Sequence, residues 1–326
     1  MQNKTIKSVL YACLVVLMAL MGYFVFLVIN SGGPESPSLE ESEDLVSSTP
    51  VGEEDYVIVD QINDHNEMLI EKLFEIELLE LEMLKNQITH FAVFATDERA
   101  DEIPRSDIIM ILEYVPKLHK VTLISTPRDT RVSIPGRKYK DKINHAYAFG
   151  GPDLMLETLQ NLYDVEIEYY VRMNFDNFVY FIDWIGGVEV NAKKDYEYPN
   201  RISIKKGVQL LDGKNALDYV RFRYDEDGDY GRIQRQQEIV KSLLDRMSGY
   251  NNEEWETNLA EFYSIVDTNM TIEEIRNLYR VYDMDKPLVF EAYTLKIVGR
   301  IINGIWYGIY EETNLNYLKD MMREVE

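Results

Sequence analysis

The sequence has a single cysteine, Cys13, among its 326 residues. One thiol cannot form an intramolecular disulfide, and it excludes sites built from several cysteines. The sequence also lacks the patterns GxxxxGK[ST], GxSxG and HExxH, so a P-loop, a serine-hydrolase elbow and a zincin site have no support. The histidines show no metal-ligand spacing; they are His65, His90, His119 and His145.

Positive charge is scarce as well, since 34 Lys and Arg residues face 57 Asp and Glu residues and the formal net charge is −23. Such a chain cannot bind nucleic acid through its bulk charge, and we expect no nucleic-acid partner. Any site for a polyanion must therefore be local. Hydrophobic residues make up 46% of the chain, which is typical of a globular protein.

The N-terminal region contains one long uncharged run, residues 9–29, VLYACLVVLMALMGYFVFLVI. About 20 apolar residues cross a membrane as a helix, so this run predicts a transmembrane segment. Lys4 and Lys7 precede it, which places residues 1–8 in the cytoplasm and the rest of a single-pass cell-membrane protein outside. A cleaved lipoprotein-type signal ending near Cys13 is the alternative. The apolar run continues well past that cysteine, which favours a retained anchor.

The remaining chain divides by composition. Residues 30–55 are rich in Ser, Pro, Gly and Glu and predict a flexible acidic linker. Residues 56–89 predict an amphipathic helix, either a stalk or the first domain helix. In residues 90–326, strand and helix patterns alternate. This alternation predicts an α/β domain, a three-layer α/β/α sandwich with a mixed central sheet.

Three polar loops concentrate carboxylate and guanidinium groups: TDERADEIPRSD, STPRDTRVSIPGRKYKDKINHAY and LDYVRFRYDEDGDYGRIQRQQ. Each alone could be an exposed turn with solvated charges. Together they favour a ligand site at the strand ends of an α/β sheet. Carboxylates suit Mg²⁺ and guanidinium forks suit phosphate, so pyrophosphate would use both. Arg221 and Arg223 would point the same way in an extended segment, and Arg232 and Arg235 would share a helix side.

Four ordered blocks between about Phe91 and Gln237 carry a family resemblance: FAVFATDER…RSDIIMIL, TLISTPRDTRVSIPG, KINHAYAFGGPDLMLETL and LDGKNALDYVRFRYDEDGDYGRIQRQQ. The sequence resembles the LytR-CpsA-Psr family of bacterial cell-envelope proteins, although Ala95 stands where the family commonly has Gly. The resemblance implies a phosphotransferase. Its substrate would be a glycopolymer, such as teichoic acid or capsular polysaccharide, carried on polyprenyl pyrophosphate, and the acceptor would be a muramic acid hydroxyl of peptidoglycan.

The resemblance also implies roles for individual residues. Asp97 and Asp107 would bind Mg²⁺ (or Mn²⁺). Asp229 would act as the catalytic base, and Arg128 would be the second catalytic residue. The groups expected to grip the pyrophosphate are Arg128, Arg221, Arg223, Arg232, Lys142, Arg235 and Gln236, with Asn144 nearby. An apolar slot for the lipid would use Phe175, Phe178, Val179 and Ile182. The acids Asp225, Glu226 and Asp227 are expected to solvate their loop.

Two alternatives remain open from the sequence. The same groups could hydrolyse polyprenyl pyrophosphate with water as acceptor. The chain could also be a non-catalytic, anchored regulator of this fold that binds lipid or wall polymer.

Overall fold

The computed structural model describes residues 53–96, 105–197, 203–282 and 286–323. The chain divides into two compact units, Met1–His65 and Asn66–Glu326. No helix within the described ranges combines the length and apolar character that a membrane span requires. The predicted membrane helix, residues 9–29, lies outside the described residues, as does the predicted linker up to residue 52.

The helices and strands follow one another in short alternation. The first half contains α1 (Glu53–Asn86), β1 (Thr89–Thr96), β2 (Ser106–Val115), a 3₁₀ turn (Pro116–Leu118), β3 (Lys120–Ser125), β4 (Arg131–Val132), β5 (Asp141–Lys142), α2 (Asn144–Tyr163), β6 (Tyr169–Asn174), α3 (Phe175–Trp184) and β7 (Val188–Ala192). The second half contains β8 (Tyr196–Glu197), β9 (Ser203–Ile204), β10 (Gly207–Leu211), α4 (Gly213–Arg221), α5 (Gly228–Met247), α6 (Asn252–Ile265), β11 (Asp267–Thr268), α7 (Ile272–Arg280), β12 (Val289–Thr294), β13 (Ile297–Ile302), β14 (Ile305–Tyr310) and α8 (Glu312–Arg323).

Six strands form the central sheet in the order β11-β6-β1-β2-β3-β12. The β1–β6 and β3–β12 pairs are parallel, and the other pairs are antiparallel. The prediction of an α/β fold around a mixed central sheet is confirmed. Pairs outside this sheet are β7 with β10, β13 with β14, β4 with β5, and β8 with β9.

The core follows from alternation of side chains along the buried strands. On β1, Ala92 and Phe94 belong to an apolar cluster that includes Met155 of α2. Phe91 belongs to another cluster, with Met270 from the turn before α7. Strand β1 therefore contributes apolar side chains to two different clusters.

One edge of the sheet collects the polar loops. Strands β1, β3, β6 and β12 run in one direction and β2 in the other, so the ends of the first four lie beside the start of β2. In sheets of this kind ligands bind beyond the carboxyl ends of the strands. The end of β1 at Thr96, the segment after Ser125 and the start of β2 at Ser106 lie at this edge.

Candidate functional site

A row of alternating charges lies along this edge, and we call Asp107, Arg128, Asp129 and Lys142 the charged row. Arg128 Nη1 lies 2.6 Å from Asp107 Oδ1, and Arg128 Nε lies 3.7 Å from Asp129 Oδ2. At the far end, Lys142 Nζ lies 2.6 Å from Asp129 Oδ1. The turn after β3 therefore joins a residue of β2 to a residue of β5.

The first turn of α5 adds a second group of charges. Arg232 Nη2 lies 2.9 Å from Asp229 Oδ1, at the i, i+3 spacing that brings side chains together on a helix. Arg223 Nη2, from the loop before the helix, lies 3.4 Å from the same oxygen. Arg232 is only 5% exposed, so its charge is held largely out of water. Asp229 is thus the centre of a pair of guanidinium groups.

Electrostatic coupling shows that the charged row and the α5 group form one site. Burial opposes protonation of Arg128, but the attraction of Asp107, Asp129 and Asp229 outweighs it, so the pKa of Arg128 lies above its ordinary value. Burial lowers the pKa of Arg232, and Asp229 only partly offsets this, because Arg128 and Arg223 repel its charge. Both arginines stay protonated near neutral pH. A crowded, partly desolvated group of cations favours a bound anion.

The site also holds unused hydrogen-bonding capacity. Within the described residues, the buried Nε–H of Arg232 has no acceptor and the buried Oδ1 of Asn144 has no donor. The backbone N–H of Asn144 donates to the Arg128 carbonyl at 3.2 Å, so Asn144 adjoins the same turn. Buried polar atoms are rarely left unpaired in a native structure. Both atoms are therefore candidate contacts for a polar ligand.

Arg221 differs from the sequence expectation. Arg221 and Arg223 would point the same way in an extended segment, but Arg221 is the last residue of α4, so that condition is not met. Its guanidinium carbon lies 4.9 Å from the centroid of the Phe175 ring, whereas Arg223 contacts Asp229. Asp212 caps α4 by accepting from the Asn215 N–H at 2.8 Å, and this cap is the sequence signal that could have revealed the helix.

Arg235 does not join the charged site. It is 3% exposed, lies 3.2 Å from Asp225 through Nη1, and donates to the carbonyls of Tyr219 and Phe222. We expected its partner Asp225 to solvate the loop, and this is wrong. The Asp225 side chain is only 9% exposed and also binds Lys194 at 3.3 Å. The pair fixes the loop before α5. Our expectation holds better for Asp227, which is exposed.

Gln236 lies between the charged site and an apolar cavity. Its Nε2 donates to the Val220 carbonyl at 3.3 Å, and it also lines the apolar cavity described below.

Asp129 was missed as a site residue by sequence reasoning, although it directly follows Arg128. Its place between Arg128 and Lys142 makes it the link that holds the charged row together.

The predicted metal ligands are described only in part. Asp97 lies outside the described residues, and Asp107 stands at the sheet edge with its carboxylate on Arg128. No cluster of three or more His, Cys, Asp or Glu with metal-binding geometry occurs in the described part of the chain. Mg²⁺ commonly takes only one or two protein carboxylates and completes its shell with water and substrate phosphate. A hard carboxylate beside a cluster of guanidinium groups fits that pattern.

An apolar cavity of about 370 Å³ opens beside the charged site, between the sheet and helices α3 to α7. Ile108 follows Asp107 on β2 and Gln236 lies one helical turn beyond Arg232, and both line it. Further lining residues are Phe91, Val93, Ala95, Met110, Leu112, Phe175, Phe178, Phe181, Leu217, Val220, Ile239, Leu243, Met247, Trp255, Leu259, Phe262 and Leu278. The cavity is almost wholly apolar and suits a hydrocarbon chain.

Two of the four residues expected to contact the lipid line this cavity. Phe175 and Phe178 line the cavity. Val179 and Ile182 do not, and Ile182 is fully buried in the core beside it. Sequence reasoning missed the walls supplied by α5 and α6. The apolar face of α5, which includes Ile239 and Leu243, was the available signal, but a buried helix face and a cavity wall look alike in sequence.

Comparison with known proteins identifies relatives of this chain. A model of the LytR_cpsA_psr family matches residues 58–324. Polyisoprenyl-teichoic acid–peptidoglycan teichoic acid transferase TagU of Bacillus licheniformis is 30% identical over 237 residues, which cover 71% of this chain and 76% of the relative. TagU of Oceanobacillus iheyensis is 33% identical over 235 residues, which cover 69% and 72%.

A solved structure shares the fold as well. The crystal structure of TagV from Bacillus subtilis superposes with a TM-score of 0.66 at 30% identity, and the match covers 73% of this chain and 97% of that one. The family match extends over most of the chain, and it includes the sheet edge, the charged site and the apolar cavity. This chain belongs to the LytR_cpsA_psr family.

Proposed function

We propose that this protein is a phosphotransferase that moves a teichoic acid or related glycopolymer from a polyprenyl pyrophosphate carrier onto peptidoglycan. One observation carries the proposal: a cluster of guanidinium and carboxylate groups stands beside an apolar cavity. A lipid pyrophosphate has the matching two parts, an anionic head and a hydrocarbon tail. The names of the TagU relatives state the same donor and acceptor classes.

The arginines would hold the pyrophosphate. Arg128, Arg223 and Arg232 converge from two sides, and guanidinium forks bind phosphate oxygens bidentately. Their positive charge would stabilise the negative charge that develops on the non-bridging and leaving oxygens. Arg221, stacked near the Phe175 ring of the cavity wall, would lie where head and tail meet.

Asp229 would act as the general base. The acceptor hydroxyl oxygen attacks the phosphorus that carries the polymer, a new P–O bond forms, and the bond to the leaving polyprenyl phosphate breaks. The hydroxyl proton passes to the Asp229 carboxylate, which Arg223 and Arg232 orient through the same oxygen. The second carboxylate oxygen would accept the proton of the acceptor hydroxyl.

A divalent cation fits the charge of this site. The described groups are three carboxylates, Asp107, Asp129 and Asp229, and four cations, Arg128, Lys142, Arg223 and Arg232. A pyrophosphate diester would bring two further negative charges beside the carboxylate of Asp107, and a divalent cation would offset them. Asp107 and Asp97 would hold Mg²⁺ or Mn²⁺, which when bound would neutralise charge on the phosphate oxygens.

The N-terminal segment would keep the enzyme at its substrate. We infer that residues 9–29 anchor the chain in the cell membrane, with residues 1–8 in the cytoplasm and the catalytic unit outside. The acidic linker, residues 30–55, would let that unit reach the carrier lipid and the wall. The apolar run and the two preceding lysines support this proposal.

Transfer can be tested directly on the full-length protein in detergent. It is incubated with lipid-linked teichoic acid, Mg²⁺ and peptidoglycan freed of attached polymer, and covalent polymer on the glycan is measured. We expect attachment by the wild type and a loss of about 100-fold or more in Asp229→Asn and Arg128→Ala. Free polymer without attachment would indicate a hydrolase instead. Undiminished attachment in both variants would refute these roles, and no turnover by the wild type would favour the regulator.

A further inference from the structure

The β13–β14 hairpin presents a partly exposed aromatic side chain, Trp306. Trp306 is 46% exposed and pairs across the hairpin with Ile301. A Cβ at Gly299 would stand 2.8 Å from the indole Nε1 and 3.0 Å from Cζ2, so the edge of the ring that carries Nε1 lies against this glycine. No larger residue fits at position 299 without moving the ring. The hairpin thus holds the indole against Gly299, and about half of the Trp306 side chain remains exposed.

Both strands of the hairpin are tied to the charged site. On β14, the Gly308 N–H donates to the Asp129 carbonyl at 2.9 Å. On β13, the Ile297 N–H donates to the hydroxyl of Tyr230 at 2.9 Å, and Tyr230 directly follows Asp229. The hairpin position is therefore set by the same two segments that carry the row and the candidate base.

The charged row leads from the cavity side to the indole. It starts at Asp107, next to the cavity-lining Ile108, and ends at Lys142, whose Nζ lies 6.0 Å from the centroid of the Trp306 ring. Trp306 does not line the cavity. In phosphoryl transfer the attacking and leaving oxygens lie roughly in line. With the leaving polyprenyl phosphate on the cavity side, the acceptor approaches from the hairpin side.

A basic cleft adjoins the hairpin. Tyr307, the residue after Trp306, lines a cleft of about 360 Å³ together with Arg137, Lys138 and Lys140 and with one acidic residue, Asp141. Within the described residues, these three cations have no carboxylate at ion-pair distance, in a chain whose net charge is −23. Unneutralised cations grouped in a cleft suit carboxylates of a partner.

We propose that the β13–β14 hairpin and residues 136–140 form the acceptor subsite, which binds a peptidoglycan strand. The C–H face of a sugar ring packs on the exposed part of the Trp306 ring, and carboxylates of the stem peptides enter the basic cleft. A peptidoglycan strand offers both groups at once, and the in-line argument puts the acceptor on this side. The proposal rests on the proposed transfer reaction and adds the residues that select its acceptor.

The aromatic half is tested by Trp306→Ala in the full-length protein. We expect the KM for polymer-free peptidoglycan to rise about ten-fold, with kcat and the Kd for polyprenyl pyrophosphate unchanged. Trp306→Phe keeps an aromatic face and should recover most of the loss. Val298→Ala is the matched control, because Val298 is 47% exposed on the same hairpin but alternates to its other face.

The basic half is tested by Lys138→Ala/Lys140→Ala with two acceptors. On intact, polymer-free peptidoglycan we expect a KM several-fold above that of the wild type. On glycan strands stripped of stem peptides by an amidase, the double variant should match the wild type, whereas Trp306→Ala should stay impaired. Equal melting temperatures would show that the variants are folded.

Two results would overturn the proposal. One is an unchanged acceptor KM in folded Trp306→Ala and in the double variant. The other is a raised Kd for the polymer-bearing donor with an unchanged acceptor KM, which would assign this surface to the polymer. Failure of the transfer reaction itself is a separate outcome. In that case co-sedimentation of the variants with polymer-free peptidoglycan still tests the subsite, and retention equal to that of the wild type refutes it.

Discussion

Two buried arginines on one helix have opposite roles at the residue scale. Arg232 is 5% exposed and Arg235 is 3% exposed, and both belong to α5. Among the described residues, Arg232 contacts the candidate base and its Nε–H has no acceptor, whereas the Arg235 guanidinium binds Asp225 and two backbone carbonyls. Burial and sequence type alone therefore do not identify a substrate-binding arginine; the partners do.

This contrast predicts different outcomes for the same substitution. Arg232→Lys keeps the charge but loses the planar fork, so we expect kcat for polymer attachment to fall about 100-fold with little change in melting temperature. Arg235→Lys is the matched control and should lower the melting temperature while the folded fraction keeps most of its kcat. Equal losses of kcat per folded molecule in the two variants would contradict the assignment.

Asp141 provides a pH-dependent prediction. Partial burial raises its pKa, but hydrogen bonds from His145 and the Lys142 N–H, and the charge of His145, outweigh this and hold it below its ordinary value. A carboxylate with a lowered pKa stabilises the fold above its unfolded-state pKa, and this stability is lost as pH falls through the folded-state pKa. Asp141→Asn should therefore reduce the free energy of unfolding at pH 7 by on the order of 1 kcal/mol.

The difference between Asp141→Asn and the wild type should shrink as the solution becomes acidic, because the native carboxylate is then protonated. Urea titrations at a series of pH values measure it. Asp320→Asn, on the exposed side of α8, is the control and should differ little from the wild type at any pH. A gap between Asp141→Asn and the wild type that is constant down to strong acid would show that the contact is not electrostatic.

At the scale of elements, the contact between α3 and α4 requires a glycine. A Cβ at Gly213, the first residue of α4, would stand 2.1 Å from the Val179 carbonyl oxygen of α3. The Gly213 N–H also donates to Asp183 Oδ1 at 2.7 Å. These helices carry Phe178 and Leu217 of the cavity wall, so their close approach shapes the cavity.

Gly213→Ala should force the two helices apart and lower the free energy of unfolding by about 1–3 kcal/mol. Gly249→Ala serves as control, because a Cβ there would meet its nearest neighbour, the Arg246 carbonyl, at 3.4 Å. Denaturant unfolding of both variants measures the difference. Similar stabilities would mean that the α3–α4 contact adjusts without cost.

Elements also show what the sequence could and could not predict. The ends of β1 and β3 were predictable because apolar alternation stops where Asp97 and Arg128 begin, and polar residues at strand ends meet at one sheet edge. The state of Arg221 was missed because its helix depends on the Asp212 cap and on packing against α3. The role of Arg235 depends on its contact with Asp225, and the local sequence pattern does not show that these two residues are close.

For the molecule as a whole, the cavity predicts ligand-dependent stability. Polyprenyl pyrophosphate at 100 times its Kd should add about 2.7 kcal/mol to the free energy of unfolding. For a domain of this size we expect the melting temperature to rise about 5 °C or more. Inorganic pyrophosphate at the same molar concentration is the control. It should shift the melting temperature much less, because it lacks the tail, of which each buried CH₂ contributes about 0.8 kcal/mol to binding. Equal shifts would contradict a lipid-binding cavity.

Pairing within the charged row has a consequence for turnover. Arg128 and Lys142 already contact carboxylates of the protein itself, so a phosphate group must displace these internal partners before it binds. An anion without a hydrocarbon tail gains little binding free energy from that exchange. On the proposed function, polymer that has left its lipid for the wall, although still rich in phosphate, would not return to the site. The enzyme would thereby escape product inhibition in a wall crowded with its own product.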